Sequence, residues 1–206
     1  MSYTPKIAER LPIMEIFYSI QGEGFHSGMP AIFVRLGGCD VGCVWCDVKE
    51  SWNEDDHPFL SIPEILDQVE KFNCKNIIVT GGEPLMYDMS SLTSSLTEYG
   101  YKLHLETSGV YPLTGQWDWV CFSPKKFKKP HDSIFELSDE LKPIIFNRSD
   151  FKFAEEHRIG LKPGCYLCLQ PEWSKADALM PQIIDYVKEH PEWRISLQTH
   201  KYLNIR

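Results

Sequence analysis

Three cysteines crowd into eight residues, Cys39-Asp40-Val41-Gly42-Cys43-Val44-Trp45-Cys46, in a chain of 206 residues with seven cysteines in all. Thiolates are the usual ligands of iron–sulfur clusters, which ordinarily take four. Three that converge on a 4Fe–4S cube leave one iron open to a ligand from outside. Gly37, Gly38 and Gly42 allow the loop to curl tightly enough for three sulfurs to face inward. The other metal reading is a zinc site, which needs a fourth ligand, with His26 or His57 as candidates. A disulfide scaffold is excluded, because an odd count leaves one thiol over and a domain of this size needs no staples. Cys74, Cys121, Cys165 and Cys168 read as buried structural residues. The last two lie three apart in a predicted strand and so point to opposite faces.

The elements that must position the cysteines follow from the apolar pattern. Short β-branched or apolar runs alternate with helical patterns, which predicts βα units and a largely parallel sheet. Strands are expected at 31–36, 76–80, 102–106, 119–122, 142–146 and 166–169, with an initial one at 14–18 and a last one at 195–198. Ser61-Ile62-Pro63-Glu64 reads as a capping box opening a helix that buries Ile62, Ile65, Leu66, Val69 and Phe72. Ser174 is expected to open another that buries Leu179, Ile183, Ile184 and Val187. Polar motifs follow directly on the strands. Cys39 follows the first, Gly81-Gly82-Glu83-Pro84 the second, Thr107-Ser108-Gly109 the third, Ser123-Pro124-Lys125 the fourth and Gln170-Pro171-Glu172 the sixth. Ligands of parallel α/β folds sit at the carboxyl ends of the strands, so these motifs imply one shared site. About six strands are too few to close an eight-stranded barrel. The expected fold is therefore α/β, an open partial (βα) barrel of about six mainly parallel strands, forming a single domain over 1–206.

The charge balance, 21 basic against 29 acidic residues for a net −8, comes without a basic face and argues against nucleic-acid partners. No apolar run approaches the ~20 residues that span a bilayer. Charges and Pro5 within 1–10 occupy the place where a signal peptide would be apolar, so a cytoplasmic location is expected.

The three-then-two cysteine spacing after a first strand resembles the radical S-adenosylmethionine (SAM) superfamily, in which the methionyl group of the cofactor caps the open iron. Gly81-Gly82-Glu83-Pro84 matches that superfamily's second motif. The resemblance implies a 4Fe–4S cluster on Cys39, Cys43 and Cys46, with SAM against Gly82. Ser123, Pro124 and Lys125 would then meet the cofactor's ribose and carboxylate, and Gln170, Pro171, Glu172 and Trp173 would flank its adenine. Glu106 either reaches the ribose or is held by a structural partner.

More specific segments are Ile20-Gln21-Gly22-Glu23-Gly24, Arg35, Cys46-Asp47 and the tail from Gln198 to Arg206. These resemble the 7-carboxy-7-deazaguanine synthase family, and the likeness runs from about Met14 to Arg206. It implies conversion of 6-carboxy-5,6,7,8-tetrahydropterin to 7-carboxy-7-deazaguanine and ammonia, the ring-contracting step toward 7-deazapurines such as queuosine. Arg35 would hold the substrate carboxylate. Ile20, Gln21, Gly22, Glu23 and Thr80 would meet the pterin, as would the terminal carboxylate at Arg206. An external one-electron reductant of flavodoxin or ferredoxin type is implied, and a homodimer is the expected assembly. The family carries Thr or Ser two residues after the last cluster cysteine, where the hydroxyl binds Mg²⁺. Here that residue is Val48, leaving Asp47 as the candidate Mg²⁺ ligand. Two other readings remain open at this point: an activase that makes glycyl radicals on a partner protein, and a zinc-stabilised binding module.

Overall fold

In the computed structural model, which describes residues 4–206, one sheet runs through the chain. Residues 1–3, part of the segment read against a signal peptide, lie outside the described residues. The strands are β1 (Arg10–Ile20), β2 (Pro30–Leu36), β3 (Phe59–Ser61), β4 (Asn76–Gly81), β5 (Lys102–Thr107), β6 (Trp119–Phe122), β7 (Glu140–Leu141), β8 (Ile144–Ile145), β9 (Tyr166–Pro171) and β10 (Trp193–Ile195). Their spatial order is β10-β9-β7-β6-β5-β4-β2-β1-β3, with β8 pairing β9. Every pairing from β2 to β10 is parallel, whereas β1 is antiparallel to both β2 and β3. The sheet ends at β10 and β3 without closing on itself. The expectation of an open, mainly parallel α/β architecture holds, with ten strands rather than about six.

The inner strands are buried because helices cover the sheet. Ile77, Ile78 and Val79 of β4 and Leu103 and Leu105 of β5 are all fully or almost fully enclosed. Helix α1 (Ile62–Val69) begins at the expected capping box, with Glu64 accepting from the Ser61 N–H at 2.7 Å. It buries Ile65, Leu66 and Val69, while Ile62 and Phe72 pack at the margin of the core. Helices α2 (Ser90–Glu98), α3 (Ser133–Leu137), α4 (Ser149–Arg158), α5 (Ala176–Glu189) and α6 (Thr199–Leu203) complete the order.

Three expectations need correction. The strand expected at 142–146 is split into β7, which ends at Leu141, and β8 at Ile144–Ile145, because Pro143 has no N–H for a ladder and the Lys142 side chain is buried. The last strand is Trp193–Ile195 rather than 195–198, anchored by Trp193 in the core. The second helix opens with a 3-10 turn at Trp173–Lys175 capped by Glu172, so α5 starts later and leaves Ile184 exposed.

Candidate active site

The carboxyl ends of β2, β4, β5, β6 and β9 converge on a cavity of about 540 Å³, within the range of sites that enclose drug-sized ligands. Its wall carries Cys39, Cys43 and Cys46, then Gly81 and Gly82, Thr107 and Ser108, Ser123 and Lys125, and Gln170 through Trp173. Ile20, Gln21, Gly22, Glu23, Arg35, Thr80, Asp47, Val48 and Arg206 line it too. Of the residues expected at the site, Pro124 alone is elsewhere, in a separate small cavity beside Val44 and Phe127. Ser123 and Lys125 face the large cavity, and the residue between them is turned away.

The cysteine loop is clamped to the turn after β4. Gly82 N–H donates to Leu36 O at 3.0 Å and Glu83 N–H to Gly38 O at 2.8 Å. A Cβ on Gly82 would lie 2.1 Å from Gly38 O and 2.9 Å from the Cys39 Cβ, so only glycine permits this approach. The Glu83 carboxylate is buried and spent on structure: it accepts from Thr107 Oγ1 at 2.6 Å, from Ser108 N–H at 2.8 Å and from Leu85 N–H at 3.1 Å. It thereby fixes the β4 turn to the β5 turn. Gly82→Ala is expected to disturb the loop by about 1 Å and cut SAM cleavage ~10²-fold. Iron content and 5′-deoxyadenosine release read the loss, with circular dichroism showing the fold retained.

The three cysteines line one wall of the cavity. Tetrahedral zinc with Zn–S ≈ 2.3 Å needs sulfurs about 3.8 Å apart. Among the described residues, the one trio of ligand atoms gathered within 4.8 Å is Glu155, His190 and Glu192. The proposed fourth zinc ligands, His26 and His57, do not line the cavity. His57 Nε2 bonds Glu50 O at 2.9 Å, and His26 packs edge-on against Trp119 and His104. Burial pushes the Cys43 thiol up and the Cys39 thiol to about 11, so loading of iron at neutral pH displaces protons. All seven cysteines are free. Cys121 and Cys168 are buried as expected, whereas Cys74 and Cys165 are only half-buried.

Beside the cysteines lies a buried charge network. Lys142 Nζ donates to Glu23 Oε2 at 2.8 Å and pairs with Glu106 Oε2 at 3.1 Å. Gln21 Nε2 reaches Glu106 Oε1 at 3.2 Å, and Gln198 Nε2 reaches Glu23 Oε1 at 2.8 Å. Burial opposes the charge on Glu23, but Lys142 and the hydrogen bonds outweigh it and hold the carboxyl at about 2. Burial pushes Glu106 up, with Lys142 only partly offsetting it. Burial likewise works against the Lys142 ammonium, yet the surrounding acids keep it well above the ordinary lysine value. Glu106 thus has a structural partner while lining the cavity. Gln170 is also tied down, its Oε1 accepting from Ser196 Oγ at 2.7 Å.

The segment 21–24 enters from the far end of antiparallel β1 rather than from a parallel strand end. Its side chains are engaged internally, with Gln21 Oε1 accepting from Glu23 N–H at 3.2 Å. The tail packs onto it: Thr199 N–H and Oγ1 both donate to Gly22 O, at 2.8 and 3.0 Å. Arg35, in register with Thr80 on β4, gives its Nε to Glu15 Oε1 at 2.8 Å. No described residue hydrogen-bonds its two terminal nitrogens. Ser19 Oγ donates to Arg206 O at 2.7 Å, and Arg206 also pairs with Glu15. Lys142, Gln198, His200 and Lys201 line the cavity without having been expected there. The tail motif was the only sequence signal for the last three. Among the described residues no helix is long and apolar enough to cross a membrane.

Comparison with known proteins matches this geometry. Residues 33–143 fit the radical SAM superfamily model. The chain is 55% identical to 7-carboxy-7-deazaguanine synthase of Flavobacterium psychrophilum, covering 96% of this chain and 93% of that one. It is 48% identical to the synthase of Synechocystis (95% and 93% covered) and 33% identical to that of Escherichia coli K12 (94% and 98%). The crystal structure of QueE from Escherichia coli superposes with a TM-score of 0.83 at 29% identity, covering 91% of this chain and 93% of that one. With three convergent cysteines, a glycine turn against them and relatives alike over nearly their full lengths, the chain belongs to the 7-carboxy-7-deazaguanine synthase family of radical SAM enzymes.

Proposed function

We propose that this chain converts 6-carboxy-5,6,7,8-tetrahydropterin to 7-carboxy-7-deazaguanine with release of ammonia, acting as a carbon–nitrogen lyase. The observation that carries the reading is Arg35, which lines the same cavity as the cysteine triad and whose terminal nitrogens bond no described residue. A planar guanidinium with one edge fixed by Glu15 and the other open suits a bidentate carboxylate. The glycyl-radical activase needs neither such a clamp nor a tail folded onto the site.

Cys39, Cys43 and Cys46 would hold the 4Fe–4S cluster, and Gly81 and Gly82 would present backbone groups to SAM. When bound, cluster and SAM together supply a carbon radical that removes a hydrogen atom from the substrate. The chain's own residues orient and enclose. Lys125 donates to Ser123 Oγ at 2.5 Å, and both face the cofactor half of the cavity. Glu23 and Glu106, both held by Lys142, and Gln21, which donates to Glu106, form the polar wall against the pterin. The tail excludes water by packing on Gly22. An external flavodoxin- or ferredoxin-type protein supplies the electron, and the working assembly is a homodimer.

Titration of the cluster- and SAM-loaded protein tests the clamp. Removing the 6-carboxylate from the substrate should weaken binding about tenfold or more. Arg35→Lys should lose a similar amount, because an ammonium lacks the planar fork, while SAM cleavage without substrate persists. Equal affinity of parent and Arg35→Lys would leave Arg35 a merely structural partner of Glu15.

A further inference from the structure

The carboxylate that the family resemblance gives to Mg²⁺ is already held by a cation of the chain. Lys201 Nζ lies 3.0 Å from Asp47 Oδ2, 3.1 Å from Gln198 Oε1 and 5.0 Å from the centre of the Trp173 ring. Asp47 is followed by Val48, which offers only an isopropyl group. The nearby hydroxyl of Ser51 is spent on Val48 O at 2.7 Å. A hard cation such as Mg²⁺ asks for near-octahedral oxygen at about 2.0–2.1 Å. Mg²⁺ usually fills that octahedron with waters and one or two protein carboxylates. The one carboxylate here is paired with an ammonium 3.0 Å away, whose charge repels a divalent ion, so the residues present do not fit a protein-held Mg²⁺.

We propose that the Lys201 ammonium serves this site in place of the divalent cation, neutralising Asp47 and donating its remaining N–H to an oxygen of the bound substrate. An ammonium has three donors, and the Asp47 and Gln198 contacts take two. The third is taken by no described residue, and Lys201 lines the cavity. Its position is enforced rather than incidental, because Thr199, two residues earlier, is pinned to Gly22 O by two hydrogen bonds. Gln198 links Lys201 to Glu23, which lines the same cavity. Lys201 is thus a binding and specificity residue, supplying one fixed positive charge where a metal site would supply two. The inference rests on reading the cavity as the carboxy-tetrahydropterin site.

The test uses cluster- and SAM-loaded protein, carboxy-tetrahydropterin, and Mn²⁺ as a paramagnetic substitute for Mg²⁺. In the parent with substrate, electron paramagnetic resonance should show Mn²⁺ remaining free, and turnover should survive EDTA with iron content unchanged. Lys201→Met should weaken substrate binding about tenfold or more, the loss of one charge-assisted hydrogen bond. In Val48→Thr/Lys201→Met, which frees Asp47 and adds a hydroxyl, about one Mn²⁺ per chain should bind with substrate. Unchanged iron content and SAM binding in the variants show that the fold survives. The proposal is overturned if the parent binds one Mn²⁺ per chain with substrate, or if Lys201→Met binds substrate as tightly as the parent. Turnover that needs Mg²⁺ overturns the role of Lys201 alone, whereas no product with or without metal overturns the functional reading and this inference with it.

Discussion

Cys43→Ala is expected to lose its cluster and to bring SAM cleavage down to background, and Cys39→Ala and Cys46→Ala should behave alike. Cys165→Ala should keep both. Each of the three cysteines lines the cavity, and a three-thiolate cube has no spare ligand to replace a missing one. Cys165 lies outside that wall just before β9, and burial pushes its thiol to about 12, so it is an inert neighbour rather than a reserve ligand. Iron analysis and the brown colour of anaerobically purified protein measure the difference. Full iron content in Cys43→Ala would contradict the assignment.

The second large effect is expected at Lys142. Lys142→Met removes the one buried cation shared by Glu23 and Glu106, leaving two part-buried carboxylates without it. Removing one partner of a buried pair costs roughly 3–5 kcal/mol, more than the pair itself contributes. Lys142→Met/Glu23→Gln/Glu106→Gln should regain most of that stability while remaining inactive, since the polar wall against the pterin is gone. Denaturant unfolding gives the stabilities; a single variant as stable as the parent would mean that water satisfies the carboxylates. Acid should expose the same network. The Glu23 carboxyl is lowered from 4.5 to about 2 in the folded state, so its contribution is fully present above pH 4.5 and is lost as pH falls toward 2. Glu106, raised by burial, works in the opposite sense and shallows the acid limb.

The rim of the site was legible because its chemistry constrains residue types. Three thiolates at fixed spacing and a glycine where a Cβ would lie 2.1 Å from Gly38 O leave few substitutes. The strand ends that carry them were legible from apolar runs, since parallel strands are buried on both faces. The Lys142 network was not legible. Its partners lie 119 and 36 residues away, and Lys142 itself reads as the polar start of a strand. Pro124 stands inside the Ser123-Pro124-Lys125 motif, yet it lines a separate small cavity. Beyond a strand end, successive side chains point to opposite sides, and Ser123 and Lys125 took the side facing the cavity. The tail's resemblance pointed to the site as a whole, yet only folding shows that Lys201 lands on Asp47.

The central claim is tested most directly by anaerobic turnover with a chemical reductant, SAM and 6-carboxy-5,6,7,8-tetrahydropterin carrying deuterium at ring carbon six. The account predicts 7-carboxy-7-deazaguanine and ammonia in equal amounts, with deuterium carried into the adenosyl group of the cofactor, since that group would take the hydrogen from ring carbon six. Release of 5′-deoxyadenosine with the pterin untouched would contradict it.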